Sequence, residues 1–288
     1  MKKIITIFLA AAAVAVQAQT KILNHAVVTT KTTVISPEGE DAPPPPPAGP
    51  DGAEVRVMRF GGDGETKSVT TLKGDMVKTF TETDMSRTTV LRDNAKKMTT
   101  TLMEMMGKKT GFYTTDEEQE QMAKRMDSMM QSRRQGTEAA FTNRSNATVS
   151  TTITYVEETK KIAGINCKKA LVIATKQNGS KDTTLAWYAP DFKLQGIVST
   201  GGMSGFGGFG ARVTTTGGLS DLAGFPMQYE VKMNRGRKMI VEVTKINIEK
   251  EVADKEFEIP KDFEVKAMKD MQNGNGNFQI RMDGVRGN

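Results

Sequence analysis

The residues that most often carry chemistry are scarce in this chain. There is one histidine, His25, and one cysteine, Cys167. A metal centre built on several histidines cannot form within one chain. A Ser-His-Asp or Cys-His constellation would need His25 as its base, and nothing around His25 marks a pocket. Cys167 has no partner for an intramolecular disulfide. It sits in Ile165-Asn166-Cys167-Lys168-Lys169-Ala170-Leu171 at the start of an apolar run, and reads as a small buried hydrophobe rather than a reactive thiol. Two carboxylates can do acid–base work without a metal, but no spacing here singles out a pair. The sequence therefore yields no catalytic residue, no metal ligand and no cofactor, and the chain is expected to be non-enzymatic.

Two motifs invite a chemical reading. Gly205-Phe206-Gly207-Gly208-Phe209-Gly210 matches GxGxxG. That fingerprint works between a strand and a helix N-terminus, whose amides hold a pyrophosphate. Here Ala211-Arg212-Val213-Thr214-Thr215-Thr216 follows, which is β-type, so the reading is a glycine-rich loop presenting Phe206 and Phe209 at a binding mouth. The chain also has 19 methionines, clustered between Met98 and Met130. Thioethers ligate copper(I), but such sites are helped by histidine; ordinary packing or a pliable apolar surface is the better account. The basic pairs Lys96-Lys97, Lys108-Lys109, Arg133-Arg134 and Lys168-Lys169 are scattered, not gathered as nucleic-acid binding requires.

The elements that would position these residues are mostly strands. Residues 26–36 are β-branched. Short β-type runs separated by Gly, Asp and Asn continue to Tyr113, with Met76, Lys78 and Phe80 sharing a face. One helix is expected over about 116–135. Thr115 and Glu118 form a capping box, Asp116 and Glu117 favour the positive end, and Gly136 stops it. Met122, Met126, Met129 and Met130 make a single apolar stripe. Strands resume with Val149 to Tyr155, Ala170 to Ala174 (continuously apolar, hence central) and Leu185 to Ala189. Met227 to Met233 alternates cleanly, Asn234 to Arg237 turns, and Met239, Val241 and Val243 return. Ile246 and Ile248 fall on the other parity, which predicts a bulge or a strand bend near Thr244-Lys245. The fold class is mainly β: a curved antiparallel sheet, apolar on one side, covered by the methionine helix.

The ends and linkers complete the organisation. Met1-Lys2-Lys3, the apolar run from Ile4 and the small residues ending Val16-Gln17-Ala18 read as a secretory signal cut after Ala18. It is too short to span a bilayer, and no later segment is long enough. No cysteine follows for lipid attachment, so a periplasmic or secreted protein is expected. Loss of Lys2 and Lys3 takes the formal charge from +6 to +4, which is mild. Residues 19–52 comprise an N-terminal strand and a proline-rich loop (Pro43 to Pro47, a polyproline II spacer); 53–268 form the main domain; 269–288 are expected to be a disordered tail.

Three segments carry a family resemblance: Lys161-Ile162-Ala163-Gly164-Ile165-Asn166-Cys167-Lys168-Lys169-Ala170, Phe225-Pro226-Met227-Gln228-Tyr229 and Ala253-Asp254-Lys255-Glu256-Phe257-Glu258-Ile259-Pro260. With Lys96-Lys97-Met98 and Met103 to Lys109 they resemble the DUF4412 domain of Bacteroidetes-type envelope proteins. The resemblance implies a half-barrel like that of periplasmic lipoprotein carriers, whose sheet and helices enclose an apolar cavity. It implies no catalytic residues. Expected partners are a lipid or other apolar ligand, or other envelope proteins; neither nucleic acid nor a membrane span in the mature chain is expected. The candidate lining and lid are Met122, Met126, Met129, Met130, Phe206, Phe209, Trp187 and Tyr229. The alternative is a structural or adhesive envelope module that works through protein contacts.

Overall fold

Runs of threonine, valine and isoleucine broken by two-residue turns fold as a meander. In the computed structural model residues 20–36, 64–83, 86–134, 148–195, 218–233 and 236–273 are described. Strands β1 (Lys21–Leu23) and β2 (His25–Ile35) open the chain. β3 (Gly64–Lys73), β4 (Met76–Glu82), β5 (Ser86–Asp93), β6 (Met98–Met105) and β7 (Lys108–Thr115) follow as consecutive hairpins. Helix α1 (Asp116–Arg134) leads to β8 (Thr148–Ile162), β9 (Ile165–Lys176), β10 (Lys181–Ala189) and β11 (Phe192–Leu194). Then come β12 (Phe225–Lys232), β13 (Lys238–Asn247), β14 (Val265–Ala267) and α2 (Met268–Asn273). Two of the turns use paired positive φ, Met106-Gly107 (52° and 77°) and Ala163-Gly164 (48° and 82°), which matches the twist of a two-residue hairpin.

The main sheet has 12 strands in the order β14-β7-β6-β5-β4-β3-β2-β13-β12-β10-β9-β8. It is curved and does not close, since its edges β14 and β8 do not pair with each other. Every neighbouring pair is antiparallel except β14 with β7. A separate parallel pair, β1 with β11, packs against the end of the sheet. There Leu23, Phe192 and Leu194 join Ala26, Val28, Leu72, Cys167, Phe225 and Met227 in one apolar cluster. The expected bulge in β13 is present, between Val243 and Lys245. Residues 26–36, expected as a strand ahead of the domain, correspond to β2, which occupies the middle of the sheet between β3 and β13.

The two faces differ from the simple greasy-and-wet expectation. Alternate side chains along a strand face opposite sides, so the register assigns each residue to a face. On one face of β2–β7, cross-strand neighbours run Thr30, Ser68, Thr81, Thr88, Met103 and Thr110, with Val28, Thr70, Thr79, Val90, Thr101 and Phe112 beside them. The opposite face carries Val69, Phe80 and Leu102 in one row and Leu91, Thr100 and Tyr113 in the next. A C-terminal arm, residues 248–267, lies along this second face. Val252 and Ala267 are buried, as are Leu91, Leu102 and Thr100. Lys73 bonds Asp254 at 2.7 Å, Lys78 donates to the Glu256 carbonyl at 2.8 Å, and Lys109 pairs with Asp262. Leu91 and Leu102 are thus roofed by the chain's own arm, whereas Val28, Leu72 and Val77 on the threonine-rich side pack in the cluster with β1 and β11, and the start of α1 belongs to the threonine-rich side.

That assignment of α1 follows from Arg92. It shares the face of Val90, bonds Thr99 Oγ1 at 3.3 Å, and makes a forked contact to Asp116 at 2.5 and 2.8 Å. Asp116 is the first residue of α1. The capping box forms in both directions: Glu118 N–H donates to Thr115 Oγ1 at 3.2 Å, and Thr115 N–H donates to Glu118 Oε2 at 3.1 Å. α2, which follows the β14 strand beside β7, adds an ion pair from Lys269 to Glu118 at 3.4 Å. None of the helices in the described residues is long and apolar enough to cross a membrane.

Candidate functional site: the threonine-rich face and the Trp187 cluster

On the threonine-rich face hydroxyls satisfy one another across strands. Ser68 and Thr81 are 3.1 Å apart and Thr70 and Thr79 are 3.2 Å apart, oxygen to oxygen. A hydroxyl bonded to its neighbour leaves the threonine methyl for an apolar contact. Thr30, Thr79, Val90, Thr101, Met103 and Phe112 are half-buried, whereas Thr32, Ser68 and Thr81 are buried. The result is a shallow face of methyls with Val90, Met103 and Phe112 among them, bounded at one end by the Arg92–Asp116 pair that starts α1.

The aromatic residues expected together lie on opposite sides. Trp187 is opposite Gln228 and Lys169 in the register, and Tyr229 is opposite Ala186. Adjacent positions alternate, so Trp187 and Tyr229 face apart. Tyr229 packs with Ala186, Tyr188, Leu219 and Leu222 on one side, where burial pushes its hydroxyl up to about 12. Leu222 is fully buried, so the chain's own side chains fill that region. Of the proposed lid, Met122 is half-buried. The side chains of Met126, Met129 and Met130, and all of Phe206 and Phe209, lie outside what is described.

Trp187 centres a cluster that its lone alternation does not reveal. Lys160 Nζ lies 4.4 Å from the Trp187 ring centre and Lys169 Nζ lies 5.9 Å away. Lys160 also donates to Gln228, which donates to Glu242 at 2.9 Å; Lys169 bonds both Glu158 oxygens at 2.9 Å. The same row continues through Lys31, Lys67, Glu82, Arg87, Glu104 and Lys109, strand by strand to β7. Signs alternate over most of it, and each opposed pair on a sheet adds roughly 0.2–1 kcal/mol. The row fixes register and keeps the arm-bearing face wet along one margin. A concavity of about 460 Å³ opens beside Lys160, lined also by Thr159, Lys161 and Asn166. A second, of about 430 Å³, lies beside His25, Lys73, Glu249 and Glu251. The Cys167 thiol is buried, and burial holds its pKa above the usual thiol range. Among the described residues no group of His, Cys, Asp and Glu is arranged to hold a metal ion.

No protein-family profile matches the chain, and no curated protein matches it. Solved structures do. The crystal structure of MucB is similar with 10% identity over 85% of this chain and 60% of that one, at a TM-score of 0.37. A domain assigned as an outer membrane lipoprotein-sorting protein from Vibrio parahaemolyticus is similar with 7% identity over 81% and 89%, at 0.26. PNGF-II is similar with 11% identity over 86% of this chain, at 0.34; this chain spans 32% of its length. The fold class stated above rests on the strand order and register of the chain itself.

Proposed function

We propose that this chain is an exported, non-catalytic binding or carrier protein for a lipid or other apolar ligand, held between α1 and the threonine-rich face of β2–β7. One observation carries the reading. The Arg92–Asp116 fork ties the start of the methionine-striped helix to a half-buried face that carries Val90, Met103 and threonine methyls. Withdrawing an acyl chain from water is worth about 0.8 kcal/mol per methylene, so a shallow apolar face with a helical cover suffices for retention. On the face that carries the charge row, the C-terminal arm lies over Leu91 and Leu102.

The test is organic extraction of the natively purified protein followed by mass spectrometry. Stoichiometric lipid is the expected result. An empty extract from protein purified without detergent overturns the carrier reading in favour of a structural envelope module. Met126→Asp, on the helical stripe, is expected to abolish ligand retention while circular dichroism keeps its β signature. Global unfolding of that variant would make the stripe core rather than lid.

A further inference from the structure

We propose that two copies of this chain pair edge to edge through β8, in an antiparallel, two-fold register centred on Ile153. The two edges of the sheet are unlike. β14 has 3 residues, while β8 has 15. Proteins blunt long edges with charge, proline, bulges or brevity. β8 does so only at its flanks: its register with β9 slips between Thr148 and Ser150 and again between Val156 and Thr159; Glu157 and Glu158 lie in the second slip, and Lys160 and Lys161 follow it. Between the slips runs Ser150-Thr151-Thr152-Ile153-Thr154-Tyr155-Val156, regular, uncharged and without proline or glycine.

This segment is held ready. Ile153 packs on the Leu219 and Leu222 cluster, and Tyr155 accepts a bond at its hydroxyl from the Ala223 N–H at 3.0 Å. Its inner backbone groups pair with β9. In a ladder the alternate N–H and C=O groups point outward, and among the described residues no strand pairs with that outer side. Along β8 the Val149 and Tyr155 residues remain 61% and 47% exposed.

The occupant that fits is a second copy. A two-fold on Ile153 sets Ile153 beside Ile153, Thr152 beside Thr154 and Thr151 beside Tyr155, aromatic and β-branched pairs of the kind that stabilise ladders. It places Glu157 and Glu158 beside Val149 and Thr148 of the second copy, so no like charges meet. The result is one sheet continuous across both molecules.

The experiment is size-exclusion chromatography with light scattering on the full protein over a wide range of loading concentrations. A concentration-dependent dimer is expected. Thr152 and Thr154 are exposed, on the side away from Leu219. Thr152→Lys with Thr154→Lys, and Thr152→Glu with Thr154→Glu, are each expected to be monomeric. Mixed, they should restore a heterodimer, because lysines of one chain then face glutamates of the other. Amide exchange of 150–156 in the parental protein should slow as concentration rises, a readout that needs no variant. A parental chain that stays monomeric, charge variants that still self-associate, or a mixture that fails to pair overturns the proposal.

Discussion

At the scale of single residues, space and charge make separable demands. A Cβ built on Gly111 meets Val265 Cγ2 at 2.8 Å, Leu102 Cδ2 at 3.1 Å and the Glu264 carbonyl at 3.2 Å. The crowding is between β7 and the arm strand, where backbone on one side cannot yield. Gly111→Ala is expected to cost about 1–3 kcal/mol, as overpacking does, and to lower the thermal midpoint. Asp116 answers to pH. Its carboxyl is held below the usual range first by the bond from Arg92, against the opposing effect of burial. A depressed carboxyl stabilises the fold above its unfolded pKa, about 4, and that stability is lost as pH falls through the folded value. Asp116→Asn should flatten the acid limb of a stability–pH curve and leave the region near neutrality lower throughout. Tyr229 acts at the other extreme. Its raised pKa keeps it neutral when the unfolded chain ionises, above about 10, so stability falls with rising pH in that window. Tyr229→Phe should remove that alkaline loss, measured by denaturant titration at graded pH.

At the scale of elements, sequence patterns were most legible where one strand or helix decides its own form. The capping box at Thr115 and Glu118 formed with both bonds, and the parity switch from Val243 to Ile246 placed a bulge or bend near Thr244-Lys245, where β13 has its bulge. Cys167 is the buried hydrophobe its context indicated. Cross-strand facts were not legible. The row from Lys169 to Lys109 joins residues far apart in the chain, and only register aligns them. The bulge between Trp187 and Tyr188 breaks the period of two along β10. The arm has a weak signal because its 254–257 turn is short and its anchors are spaced irregularly. What holds the arm is decidable by magnitude. Its ion pairs involve exposed partners, such as Asp254 at 91% side-chain exposure, and exposed pairs contribute about 0–1 kcal/mol each. Burying a side chain such as Val252 contributes about 1.5–3 kcal/mol. Limited proteolysis should therefore find the arm protected at high salt and released by Val252→Asp.

At the scale of the whole molecule, the sheet is assembled from two runs that meet at β2. One run, β3–β7, is sequential; the other, β8–β10 with β12 and β13, comes later in the chain. A fragment ending at Arg134 keeps the first run intact but leaves the β13-facing edge of β2 open along its full length. Such edges template association. The fragment 20–134 is expected to be β-rich by circular dichroism yet to sediment as aggregate, and adding the 148–273 fragment in trans should suppress this.

A strand made early, β2, is therefore one whose hydrogen bonding is completed late. His25–Ile35 finds β3 within a few dozen residues, but its other side waits for Lys238–Asn247. Loops of that size close slowly, and long-range pairing dominates the rate. Until Lys238–Asn247 has been made, the nascent polypeptide carries a half-zipped ribbon whose open side needs shielding from other chains.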